Sequence, residues 1–394
     1  MVVFKPFAPY IPNHPEAVAA DPYDVVNVED ARRDIKQRPN SFLAVDKPEA
    51  LESDMALEAW GRRARSELER LYETELSRHD EGFYVYQLTD AGRKQTGLVA
   101  TFAVSDYEAG RIKIHEHTRV TKERERVEHV AVTKAHTGPI LLSHQPDEAL
   151  KRLLSAAADG TALFSFTDER GVRHEGFRIP SKDLARLIMI GASIPAIYIA
   201  DGHHRAKAAA VVARSPIHEG ESKQERDHFL GVLFPSDELT ILPYHRLLTN
   251  VAPEEVTALL EGISFTYVVD PVEDLFVPEE RGAFGLTYRG AHYKLTKRQA
   301  TDALAVATLQ RDLLEPYFHV KDVRSDERID FVGGKEAVSR LKQLAERPDV
   351  VVLTCHATAM EELMRVADEA GQMPPKSTWF EPKLKSGLFI HRFD

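Results

Sequence analysis

One cysteine, Cys355, occurs in 394 residues, so the chain forms no internal disulfide and no cysteine-rich zinc site. Basic charge is not in excess either. The 51 Lys and Arg against 62 Asp and Glu leave a formal net charge of −11, which argues against nucleic acid as a partner and leaves room only for a local basic patch. No apolar run approaches the roughly 20 residues of a membrane helix, and the opening Met1-Val-Val-Phe-Lys-Pro-Phe7 lacks the basic-then-apolar order of a secretory leader. These absences set the expectation of a cytoplasmic protein. Walker-type glycine loops, internal repeats and low-complexity segments are missing as well. What remains is an ordinary globular composition, 43% hydrophobic and 29% charged, at a length that supports two or three domains.

The pattern along the chain alternates strand and helix. Residues 1–22 are proline-punctuated and read as extended, a charged helix is expected over 28–37 with Pro39 ending it, and a second over 49–78. The stretches 82–87 and 95–104, separated by Asp90-Ala-Gly92, read as a hairpin. Strand stubs at 112–114, 138–142, 162–166, 177–179 and 229–234 come next, with a charged helix to about Lys134. After Asn250 the character changes: Pro253-Glu-Glu-Val256 starts a helix, small strands are expected at 265–269, 283–288 and 292–295, a helix over 303–314, a buried strand over 350–354 and a helix over 358–370.

The densest chemistry lies in Ala196-Ile-Tyr-Ile-Ala-Asp-Gly-His-His-Arg205, followed by the alanine-rich 206–214. This reads as strand, turn, helix. The free N–H groups and positive dipole end at such a helix start attract oxyanions, and His203, His204 and Arg205 add to that pocket. Gly202 permits a tight turn or a close approach of ligand, and Asp201 suits an N-cap, a general base or a metal ligand. A capped helix with solvated basic residues is the structural alternative.

His115-Glu-His-Thr118 ends a strand stub and suits acid–base or cation chemistry, yet His-Glu-His lacks the helical spacing of a metalloprotease and a zinc site wants a third ligand. His115, Glu116 and Thr118 are expected to share one cleft with residues 203–205, because both clusters end apolar strand-like runs. Lys122-Glu-Arg-Glu-Arg-Val-Glu-His129 reads as a solvated helix face, from which Arg126 could turn inward to a phosphate. His245 and Arg246 repeat the His-Arg pair beside a short strand, either for phosphate or with Arg246 paired to a carboxylate. Lys376, Ser377 and Thr378 with Lys383 form a rigid polar loop suited to oxyanions, with a basic segment packed on an acidic body as the alternative. Cys355 and His356 point to opposite faces of an extended chain, so Cys355 reads as a core residue.

Taken in order, Pro22-Tyr-Asp24, His115-Glu-His-Thr118, Ala200-Asp-Gly-His-His-Arg205, Leu242-Pro-Tyr-His-Arg246 and Met373-Pro-Pro-Lys-Ser-Thr-Trp-Phe-Glu-Pro-Lys383 resemble the domain of unknown function 1015 family over nearly the whole chain. The turn is similar to the nucleotide-binding turn of the ParB and sulfiredoxin superfamily, which includes ParB-like free serine kinases. Many members carry Tyr where this chain has Ala206. The resemblance implies an α/β (mixed α+β) fold, with a ParB/sulfiredoxin-like mixed-sheet portion over 1–250 and a smaller α+β portion over 251–394 whose Lys/Ser-rich loop closes on the site.

The inventory fits phosphoryl transfer, which needs much positioning of charge and little covalent chemistry from the protein. The resemblance supplies a serine- or phosphoserine-like substrate with ADP or ATP as donor. In that scheme Gly202, His203, His204 and Arg205 hold phosphates, Glu116 or Asp24 takes the hydroxyl proton, and Asp201 orients substrate or binds Mg²⁺; Asp24, Glu116, Asp201 and His204 are the candidate catalytic groups. A phosphatase of the same metabolite and a non-enzymatic nucleotide-sensing switch, which would want a homodimer, are the competing readings.

Overall fold

The computed structural model describes residues 2–52, 57–116, 120–216 and 221–393. They form two compact units, Met1–Leu239 with Pro382–Asp394, and Thr240–Glu381. Where the sequence suggested a single division after Asn250, the chain crosses twice, and its last residues return to the first unit.

Among the described residues, the first unit is built on a nine-stranded mixed sheet. Its order runs Ile112–Lys113, Ile197–Asp201, Ile140–His144, His228–Pro235, Arg93–Ala103, Tyr84–Asp90, Arg173–Arg178, Phe164–Thr167, with Phe4–Lys5 added beside the far end of Arg93–Ala103. The hairpin turn falls at Ala91 and Gly92, both at positive φ, as the Asp-Ala-Gly signal leads one to expect. The central strands are buried on both faces: Leu98, Val99, Ala100, Phe102, Leu142, Ile199, Phe229 and Leu233 are at most 2% exposed. Helices Glu148–Ala158, Leu184–Ser193 and His203–Arg214 contribute Leu150, Leu154, Leu187, Ala206 and Ala209 to that core. At about 25 cal/mol per Å² such burial is the main favourable term in the fold.

Local signals place several of these elements. Asn27 caps Val28–Gln37 by accepting from the Asp30 backbone N–H at 2.8 Å, and Asp147 caps Glu148–Ala158 through the N–H groups of Ala149 and Leu150 at 2.9 and 2.8 Å. The helix expected over 49–78 is corrected: it spans Leu57–Thr74, and Leu76–Arg78 is a strand paired with Tyr10–Pro12. Pairing with a distant segment overrides helix propensity there.

The second unit carries a six-stranded sheet, ordered Tyr267–Val272, Ala291–Lys297, Ala283–Tyr288, Val351–Cys355, Tyr244–Leu248, Ile329–Gly333, with every pairing antiparallel. Leu247, Val332, Leu341, Val350 and Val352 form its packed core. Its first and last strands, Thr240–Leu242 and Trp379–Glu381, pair with one another.

Candidate functional site

Two strands determine where the site forms. Ile197–Asp201 runs parallel to Ile112–Lys113, with Ile197 opposite Ile112 and Tyr198 opposite Lys113. Parallel neighbours end at the same edge of a sheet, so the residues just beyond the two strands meet there. One strand releases His115 and Glu116, the other Asp201, Gly202 and His203. Ligand atoms of His115, Glu116 and His203 all lie within 4.8 Å of one another, and the two rings meet edge to face with centroids 4.5 Å apart. Thr118 lies outside the described residues.

Gly202 has φ of +100°, and a Cβ at this position would stand 3.0 Å from the Arg205 Nε. Glycine therefore lets the chain turn from strand into the helix His203–Arg214 and lets the Arg205 side chain fold back against that turn. No side chain caps this helix start among the described residues, so the N–H groups of its first turn remain directed outward. Asp201 is not the cap; its Oδ2 instead accepts from the Lys383 Nζ at 3.0 Å. Arg205 donates to the Pro139 carbonyl at 2.5 Å. Ala206 is completely buried, which leaves no room for the aromatic that many family members carry.

Beside the turn lies a small cavity of about 30 Å³ lined by Tyr23, Asp46, Arg126, His129, His136 and Arg205, among others. Arg126 does turn inward from the helix Val120–Thr133, whereas Lys122 and Arg124 are exposed. Its guanidinium stacks on the Tyr23 ring at 3.9 Å and donates to the Asp46 carbonyl at 3.2 Å. Its Nε is buried without a hydrogen-bond partner among the described residues, and a cavity of this size holds a water or one oxygen of a ligand. Asp24 is exposed, next to the buried Tyr23.

Sequence reasoning missed Asp46, His129 and Thr137. Thr137 donates to the Asp46 carboxylate at 3.0 Å and the His129 Nε2 meets the Val45 carbonyl at 3.1 Å. His129 was findable, because it comes one helical turn after Arg126 and must share its face. Nothing local marks Asp46. Lys385 ion-pairs with Asp21 at 2.8 Å and Asp168 at 2.9 Å, on the border of a groove of about 640 Å³ that also includes Asp34, Arg38 and Arg170.

Charge states are set by burial. Burial pushes the His115 imidazole down to about 4, against weaker opposing effects of the Ile199 carbonyl and Asp201. It likewise pushes His203 well below its ordinary value, with His115 adding to the shift. Both rings are neutral at pH 7. Burial raises the Asp201 carboxyl, but Lys383 and Arg205 outweigh it and hold the group well below the usual carboxylate range. Positive charge at the turn thus comes from Arg205, Arg126 and Lys383, not from His115 and His203.

The remaining candidates belong to the second unit. Arg246 is 1% exposed, stacks near Phe331 and donates to the carbonyls of Tyr244, Lys376 and Pro375. These donors are spent on carbonyls, and among the described residues it is paired with no carboxylate, which corrects both readings of the sequence. His245 is buried and its Nδ1 accepts from the Cys355 N–H at 3.3 Å. Ser377 spends its hydroxyl on the Pro374 carbonyl, and Lys376 lies over the Tyr244 ring at 5.5 Å. Ser377 is buried and Thr378 half-buried. Cys355 is buried on its strand.

The family described as protein of unknown function (DUF1015) matches residues 4–315. No curated protein matches the chain. Among solved structures, a free serine kinase in complex with AMP is similar at 15% identity, covering 74% of this chain and 91% of its own with a TM-score of 0.38. SbnI with a C-terminal truncation from Staphylococcus aureus is similar at 11% identity, 73% and 85% coverage and a TM-score of 0.38. A conserved hypothetical protein from Pyrococcus furiosus is similar at 14% identity, 74% and 93% coverage and a TM-score of 0.35. At such TM-scores none of these superpositions assigns a role to a residue of this chain.

Proposed function

Since the chain belongs to the DUF1015 family, whose description assigns no reaction, we propose on the strength of its site that it transfers a phosphoryl group to or from a small hydroxylated amino acid, with ADP or ATP as donor in the kinase direction. The observation that carries this reading is the uncapped start of the helix His203–Arg214, with Arg205 and Arg126 sharing a cavity beside it. Backbone N–H groups and guanidinium groups are the donors that oxyanions prefer, and phosphoryl transfer asks chiefly for such positioned charge. Serine or phosphoserine as substrate rests on the resemblance of the 201–205 turn to that of ParB-like serine kinases.

In this scheme the N–H groups of the turn and Arg205 hold phosphate oxygens. Glu116, half-buried beside His115, takes the proton of the substrate hydroxyl, with Asp24 as the other candidate. Asp201 stays ionised and serves position better than proton transfer, because a base works best with a pKa near the working pH. Its carboxylate is the group that would hold Mg²⁺ against the phosphates, which the ion would supply with neutralising charge. His203, neutral through burial, is assigned with His204 to hydrogen bonding rather than to counter-charge.

Incubation with serine and ADP or ATP, and separately with phosphoserine, followed by phosphorus NMR tests the proposal. Nucleotide-dependent phosphoserine formation is the expected result. Release of phosphate from phosphoserine without nucleotide identifies a phosphatase, and tight nucleotide binding without turnover over a panel of hydroxylated metabolites replaces the enzyme with a sensing switch.

A further inference from the structure

We propose that His115, Glu116 and His203 form a binding site for a divalent transition-metal ion. Side-chain geometry alone supports the site, whether or not the protein transfers phosphate. Two imidazoles and a carboxylate, from two segments far apart in the chain, bring one ligand atom each within 4.8 Å of the others. In a tetrahedral site, atoms bound to one ion at about 2.1 Å stand about 3.4 Å apart. Closure on an ion therefore asks for side-chain adjustments of about an ångström, shared among three side chains.

Unpaired buried nitrogens point the same way, independently of that spacing. His115 Nδ1 and His203 Nε2 are both buried and have no hydrogen-bond partner among the described residues, and the two residues are 1% and 9% exposed. A buried polar atom left unpaired is a destabilising feature. A cation shared between the two nitrogens removes both penalties at once.

Ligand chemistry selects the ion. Two imidazole nitrogens with a carboxylate suit Zn²⁺, Fe²⁺ and Co²⁺ and, less tightly, Mn²⁺, whereas Mg²⁺ prefers oxygen and keeps its waters. Three protein ligands leave a coordination position for water or for an oxyanion, as in catalytic rather than structural sites. The paired polar cluster His115-Glu116 has no helical metal spacing of its own, and the third ligand arrives only through the parallel strand that carries Asp201.

The test uses the full chain, stripped with a chelator and titrated separately with Zn²⁺, Mn²⁺ and Mg²⁺ in the absence of nucleotide, with bound metal counted by elemental analysis. One Zn²⁺ or Mn²⁺ per chain is expected, bound at least about 100-fold tighter than Mg²⁺. His203→Gln and His115→Asn are each expected to lose about 100-fold or more in that affinity, with unchanged circular dichroism. Equal affinity for Mg²⁺, or variants that bind as the parent does, overturns the proposal. Should either histidine variant misfold, Co²⁺ added to the unaltered chain decides: visible bands of a nitrogen-ligated ion support the site, and the spectrum of free aqueous cobalt refutes it. Nucleotide is absent throughout, so failure here is distinct from failure of the phosphoryl-transfer reading.

Discussion

Of the three His-Arg dipeptides in the chain, His204-Arg205 and His245-Arg246 have opposite fates. At His204-Arg205 the pair opens a helix after a glycine at φ +100°, and Arg205 lies along a cavity with one guanidinium nitrogen on the Pro139 carbonyl. At His245-Arg246 the pair sits within the antiparallel strand Tyr244–Leu248, and Arg246 gives its donors to three carbonyls of its own unit. The first arginine keeps capacity for a ligand. The second is a structural clamp that holds the 374–377 turn. What separates them is backbone context: a helix start leaves polar groups to be satisfied from outside, whereas a central strand closes its own.

The comparison breaks most visibly at the clamp. Arg246→Met leaves three carbonyls without donors and should lower unfolding free energy by about 3–5 kcal/mol in a denaturant titration. A soluble variant of parental stability that has lost phosphate affinity would reverse the two roles. Arg205→Ala should do the opposite, weakening binding of ADP or phosphoserine by about 1.5–3 kcal/mol in calorimetry with little change in unfolding midpoint. Unchanged affinity removes the anion role from this turn. Gly202→Ala introduces strain of about 1–3 kcal/mol at a positive φ and forces Arg205 aside, so a modest stability loss should come with weaker ligand binding; the two effects appearing separately would mean that the glycine does not position the arginine.

The smallest effect near neutrality is a pH dependence in the second unit. Burial first, then Arg246, pushes His245 from 6.5 down to about 4. A group whose folded pKa is depressed takes up its proton more readily in the unfolded chain, so its stabilising contribution is present above pH 6.5 and is lost as pH falls toward 4. His245→Gln should flatten the stability profile across that window. A slope identical to the parent's assigns the acid sensitivity elsewhere, His129 and His115 being placed at about 4 by the same cause.

Legibility in the sequence tracked the range of the interactions. The helix Val28–Gln37, the 84–103 hairpin, the strand Ile197–Asp201 and the helix behind it were readable, since a cap, a glycine turn and an alanine run are local signals. The helices Glu148–Ala158 and Leu184–Ser193 were overlooked although Asp147 offered a cap for the first. The end of the helix Leu57–Thr74 was misplaced because its successor is held by pairing with Tyr10–Pro12. In the site, the residue types were legible and their partners were not. Lys383 on Asp201, Lys385 on Asp168 and Thr137 on Asp46 each join positions far apart in the chain, and no periodicity records such contacts. His245 and Arg246 show the converse, a suggestive pair whose strand setting decides its use.

The return of residues 382–394 to the first unit also governs the order of events during synthesis. Phe389 packs against Tyr84, Tyr86 and Phe164, Ile390 meets Tyr10 through two backbone hydrogen bonds, and Lys383 neutralises Asp201. All of these partners leave the ribosome before any of residues 240–381 do. At about 5–20 residues per second the nascent first unit must wait roughly seven to thirty seconds for its closing strand. Throughout that interval an apolar seam and an unneutralised carboxylate face solvent, making the half-made protein a natural client for chaperones until its final segment is delivered.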